Sequence, residues 1–136
     1  MADKNQFAHY LKIFLWLIAL HSFLVGIALI TTPSQLFSYF GFAEVNEKFF
    51  PVQAGVFHII LSIAYAMAAI DVFNQGRMVM LTISAKLIAT VFLVSYYFLI
   101  MKIWMVLVSA IGDAFMGLTV WHLYSRFLRC RDRKEV

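Results

Sequence analysis

Charge is what this sequence has least of. Only 13% of its 136 residues are charged, and 63% are hydrophobic. A soluble domain carries roughly 25% charged residues, so this chain has too little polar surface to cover a water-soluble globule. With a mean hydropathy of +0.85, lipid is the solvent for much of it. Cysteine is nearly absent too. The single thiol, Cys130, forms no internal disulfide and excludes the quinone-linked disulfide oxidoreductases, which need a C-x-x-C pair. Cys130 reads as an inert thiol, with juxtamembrane palmitoylation as the alternative. Two prolines and six glycines are too few for a disordered or low-complexity chain.

What is present is long apolar runs. The first, residues 12–31, is longer than a signal-peptide core and is followed by no small-residue cleavage site, so it reads as a retained helix. Pro33 then suits the first turn of a short helix. Leu36, Phe37, Tyr39 and Phe40, broken by Gln35 and Ser38, suit a membrane interface, and Gly41 can close the helix with a left-handed cap. Glu44, Asn46, Glu47 and Lys48 make a polar turn before a second span at 49–70, with Pro51 in its first turn. Asp71, Asn74, Gln75, Gly76 and Arg77 form the next turn. From Met78 to Ser125 the chain is apolar almost without pause. As one helix it would measure roughly 72 Å, more than twice a hydrocarbon core of about 30 Å, so it must fold back. Lys102 and Trp104 supply the interfacial chemistry for a turn near 100–103, giving spans at 78–100 and 104–125. The expected fold is an all-α membrane protein, a four-transmembrane-helix bundle with a short interfacial helix in the first outer loop.

Basic residues orient it. Lys4, Lys12, Arg77, Arg126, Arg129, Arg131, Arg133 and Lys134 fall on the side of the termini, against Lys48 and Lys102 opposite. The positive-inside rule places both termini and the basic tail 126–136 in the cytoplasm. That tail serves as a topology signal, with attraction to anionic headgroups as a second use. No nucleic-acid partner is expected.

Four ionisable residues interrupt the spans, one on each: His21, His58, Lys86 and Asp113. Counted from the outer boundary, His58 lies roughly 12 Å deep, His21 and Asp113 roughly 15 Å, and Lys86 roughly 21 Å. Three share a layer near the midplane, and the long lysine can span the remaining turn. Thr82, Lys86 and Thr90 form one helical stripe, as do Ser109, Asp113 and Gly117, and Ala54, His58, Ser62 and Ala66. Stripes of small or hydroxyl residues let membrane helices approach closely, so these faces are expected to meet in the interior. An isolated charge at a span's centre costs about 2.5–3.5 kcal/mol on insertion scales, and a Lys86–Asp113 pair would relieve both charges. Gln53 and Tyr65 are candidates for the same interior. Against this stand plainer readings: Lys86 snorkelling to the boundary, and both histidines neutral and bonded to hydroxyls. His9 and His122 lie near the boundary, and the methionines are scattered filler.

Three functions fit this layer. The first is a non-catalytic binding or accessory protein, holding a lipophilic ligand by one or two orienting hydrogen bonds or docking on a larger membrane complex. The second is redox or metal chemistry, with His21 and His58 as haem ligands or joined by Asp113 in a two-histidine, one-carboxylate site. The third is a proton-coupled carrier acting as a dimer. Small multidrug-resistance proteins match in size, but they carry a glutamate in the first helix where this chain has His21. The run Phe50-Pro51-Val52-Gln53-Ala54-Gly55-Val56-Phe57-His58, with His21-Ser22 before it and Gly112-Asp113 after it, resembles small bacterial four-span proteins of the DoxX-like and BphX-like kind. That resemblance implies an inner-membrane protein, linked in some members to oxidative or aromatic-degradation pathways, and carries over no catalytic residues. It favours the accessory reading, as a homo-oligomer or within a larger complex.

Overall fold

In the computed structural model, which describes residues 4–43 and 47–132, four long helices follow one another: α1 (Lys4–Thr31), α2 (Phe49–Ile70), α3 (Gly76–Leu99) and α4 (Trp104–Asp132). Each is long and apolar enough to cross a membrane, and the protein is a small polytopic integral membrane protein. Of the expected polar and basic residues, Glu44, Asn46, Arg133 and Lys134 lie outside the described residues, as do the side chains of Lys4 and Arg131. The second span falls where the sequence put it. The first and fourth helices continue past the expected spans at the end that carries the termini, because nothing in Asn5–Leu11 or Arg126–Cys130 breaks a helix.

The helices form a ring. α1 packs most extensively on α2 and α3 on α4, giving two hairpins; α1 also packs on α4, and the α2–α3 seam is the thinnest. Between helices in lipid the apolar effect supplies little drive, so close van der Waals packing must supply it. The α1–α2 hairpin achieves this with a reciprocal glycine crossing. A Cβ on Gly26 would stand 2.8 Å from the Gly55 carbonyl oxygen, and one on Gly55 would stand 2.7 Å from that of Gly26.

Packing is uneven along the bundle. The core gathers at the end bearing the termini, where Leu11, Leu15, Ile18, Tyr65, Ala68, Val79, Ile83, Val120 and Phe127 interlock. On α3 the last buried residue is Lys86, and everything from Leu87 to Leu99 is half-buried or exposed.

At the opposite end, a 3-10 helix (Ser34–Phe40) lies in the loop between α1 and α2. Pro33 stands just before it as the N-cap instead of within its first turn, with an extended backbone. Gly41 adopts φ +86°, and its N–H donates to the Ser38 carbonyl at 3.0 Å while that of Phe42 donates to Phe37 at 3.2 Å. This left-handed cap was legible in the sequence. The turn between α3 and α4 is made without glycine or proline. Ile103 anchors it instead, buried to 5% exposure, with its Cγ2 3.4 Å from where a Gly41 Cβ would be.

Candidate functional site: a buried ion pair in the bundle

Lys86 and Asp113 meet. The Lys86 Nζ donates to Asp113 Oδ1 at 2.6 Å, with side chains only 4% and 14% exposed. The backbone geometry that permits this comes from Gly117, one turn along α4 from Asp113. A Cβ there would stand 3.1 Å from the Lys86 Cβ, so glycine lets α3 and α4 close on the root of the lysine. The lysine chain then reaches back toward the acid, spanning the one-turn offset expected from the helical rise. Snorkelling to the boundary is thereby replaced by an interior contact.

A third helix joins the pair. The Tyr65 ring of α2 lies under Lys86 Nζ, 5.8 Å from the ring centroid, within the range where an aromatic face attracts a cation. Tyr65 itself is 1% exposed. The threonines flanking Lys86 do not contribute: the Thr90 hydroxyl donates to the Lys86 carbonyl at 2.8 Å and that of Thr82 to Met78 at 2.9 Å. Such back-bonding satisfies the hydroxyls within their own helix.

The histidines divide. His58 is half-buried, on the α2 stripe that continues through Leu61 and Tyr65, and its Nδ1 is buried without a hydrogen-bond partner among the described residues. Lys86 and Asp113 both act on it electrostatically. His21 also feels the pair, yet it lies exposed on α1, which corrects its expected place in the interior. The inward stripe of α1 is Leu11, Leu15, Ile18 and Ser22. His21 is one residue, about 100° of helical rotation, away from Ser22. Ser22 is therefore the inward polar group of α1, and its Oγ is buried and unpartnered among the described residues. The i, i+4, i+7, i+11 spacing from Leu11 was the signal that would have picked it out.

Gln53 is likewise exposed and belongs to no interior layer. α2 turns Gly55, Ser62 and Tyr65 inward, and Gln53 falls on the opposite side. Ala54 and Ser109, the outer ends of two expected stripes, are exposed as well.

The metal reading does not fit these positions. Among the described residues no three His, Cys, Asp or Glu side chains gather into a metal-ligating group, so His21, His58 and Asp113 do not form the two-histidine, one-carboxylate site. A haem held from both faces would need both imidazoles turned into one space, and His21 is on the bundle surface.

The site is thus a charge-assisted pair backed by an aromatic ring, with an imidazole nitrogen under the pair's electrostatic influence and a buried hydroxyl elsewhere in the interior, neither of them bonded among the described residues. Such groups can donate to and accept from a polar head while apolar helices surround its tail. No family model, curated protein or solved structure matches the chain.

Proposed function

We propose that this protein is a non-catalytic binding or accessory protein of a bacterial inner membrane, whose interior layer receives a lipophilic ligand with a small polar head. The observation that carries this reading is the unpartnered His58 Nδ1 under the influence of the buried Lys86–Asp113 pair. A buried polar atom without a partner costs about 1–3 kcal/mol, a cost a bound ligand would offset. The thin α2–α3 seam and the half-buried face of α3 beyond Lys86 favour entry from the lipid on that side. The termini face the cytoplasm on the strength of eight basic residues against two. The resemblance to DoxX-like and BphX-like proteins accords with an accessory role, as a homo-oligomer or beside a larger membrane enzyme.

A second reading, proton-coupled transport by a dimer, draws on the residual 14% exposure of Asp113, which leaves the acid within reach of a proton carrier. Two measurements part the readings. Protein extracted gently from its native membrane is weighed by native mass spectrometry, beside His58→Leu and the double variant Lys86→Met/Asp113→Asn. The binding reading expects a small-molecule adduct on the wild type that both folded variants lose. Identical spectra for all three would overturn it. Substrate-induced proton release, absent in Asp113→Asn, would favour the carrier.

A further inference from the structure

A second polar site lies at the end of the bundle that carries the termini, between α1 and the turn that follows α2. A cavity of about 370 Å³ opens there, with Asn5, His9 and Lys12 of α1 on one side and Asp71, at the end of α2, on the other. Ala8 and Phe73 give it apolar wall.

Its level in the membrane follows from counting. Lys12 stands 19 residues before Thr31, and Asp71 stands 22 after Phe49. At 1.5 Å per residue, both are about 30 Å from the outer ends of their helices, one hydrocarbon thickness away. The two charges therefore emerge together at headgroup depth.

They share the cavity without bonding each other. Lys12 acts on the Asp71 carboxylate electrostatically, but among the described residues the ion pair is Lys86–Asp113 and not this one. Asp71 is held by its own turn instead: Oδ1 accepts from the Asn74 backbone N–H at 3.1 Å and Oδ2 from the Asn74 side-chain amide at 2.7 Å. Those bonds keep its pKa below the ordinary carboxylate value, so it is an anion at neutral pH. A carboxylate has about four acceptor positions, and the turn leaves some of them open.

Opposite charges facing one cavity select a ligand carrying both. A purely anionic headgroup would gain Lys12 and meet repulsion from Asp71. A quaternary ammonium has no N–H to donate to the carboxylate. A phosphate linked to a primary ammonium satisfies both ends. We propose that this cavity binds a phosphoethanolamine lipid headgroup, its phosphate on Lys12 beside Asn5 and His9, and its ammonium on Asp71, in the leaflet on the side of the termini.

The test uses the full chain in nanodiscs holding equal amounts of phosphatidylethanolamine, phosphatidylglycerol and phosphatidylcholine with matched acyl chains. The retained lipid is identified by native mass spectrometry. The proposal expects the ethanolamine lipid to be favoured about tenfold, the scale of one charge-assisted hydrogen bond. Lys12→Gln abolishes that preference, and Asp71→Asn turns it toward phosphatidylglycerol by removing the repulsion. Lys12 is exposed and makes no fold-holding bond among the described residues, so Lys12→Gln decides the matter even if Asp71→Asn disturbs its turn. Equal retention of the three lipids, a wild-type preference for phosphatidylglycerol, or an unchanged preference in Lys12→Gln overturns the proposal. So does full displacement by millimolar glycerophosphoethanolamine, because a site read by a soluble headgroup alone is not a lipid site.

Discussion

Ser22 and His58 hold polar atoms that the fold buries without a partner among the described residues. In a structural role each would be expected to donate or accept inside the bundle; as they stand, each costs the folded state about 1–3 kcal/mol. Ser22→Ala and His58→Leu should therefore hold or raise stability, by about 1 kcal/mol, in a denaturant titration of bicelle-embedded protein. A loss of that size instead would show that both atoms are bonded in the membrane. Asp71 gives a residue-scale prediction in water. Its pKa is lowered chiefly by the Asn74 side-chain amide and then by the Asn74 backbone N–H. A depressed carboxylate adds stability above its unfolded pKa and loses it as pH falls through the folded one. The α2–α3 turn is thus tight at neutral pH and loosens only below the ordinary aspartate range of about 3.9. Asn74→Ala should move the Asp71 titration, followed by carboxyl NMR, back up toward that value; an unmoved midpoint would contradict the assignment. At this scale the sequence was read well where chemistry is rare and poorly where phase decides. Asp113 and Lys86 stand out in any apolar run, and the lysine's length spans the one turn that separates their depths. His21 stands out equally, but a single helical position separates it from the inward Ser22.

The elements were more legible than their contacts. Each long helix follows from apolar length; hydrocarbon thickness requires the fold-back, and Lys102 and Trp104 place it near 100–103. Which glycines bring helices together does not follow, because Gly26, Gly55, Gly112 and Gly117 look alike until their neighbours are known. Gly26 and Gly55 sit backbone against backbone, Gly117 sits on Lys86, and Gly112 has nothing within 4 Å of its would-be Cβ. Gly55→Ala should accordingly cost about 1–3 kcal/mol by forcing α1 and α2 apart. Gly112→Ala should cost nothing, or gain up to about 1 kcal/mol from helix propensity. Paired thermal unfolding curves check both, and equal effects would undo the glycine crossing as the basis of the first hairpin. The short outer helix illustrates a different limit. Its residues and its Gly41 cap were readable, while its 3-10 winding and the position of Pro33 ahead of it depend on how the loop seats against Ile103 and Trp104.

As a whole the molecule is two helical hairpins, firmly joined near the termini and thinly joined across the α2–α3 seam. The proposed orientation is checked with Cys130, the only cysteine. A membrane-impermeant maleimide added outside intact cells should leave it unlabelled, while Lys102→Cys in a Cys130→Ser background should react; the reverse pattern would invert the topology. The central claim concerns what closes the interior. Lys86 of α3 bonds Asp113 of α4 and lies over Tyr65 of α2, so one lysine ties the second hairpin together and to the first. Breaking a buried pair by removing one partner costs about 3–5 kcal/mol. The most direct test is a double-mutant cycle with Lys86→Met, Asp113→Asn and the two combined, measured as unfolding free energy in bicelles. The pair predicts that each single variant is strongly destabilised and that the double variant recovers about 2 kcal/mol relative to their sum. Single effects that add to within about 0.5 kcal/mol would mean that the two residues act independently and that the bundle does not close on an ion pair.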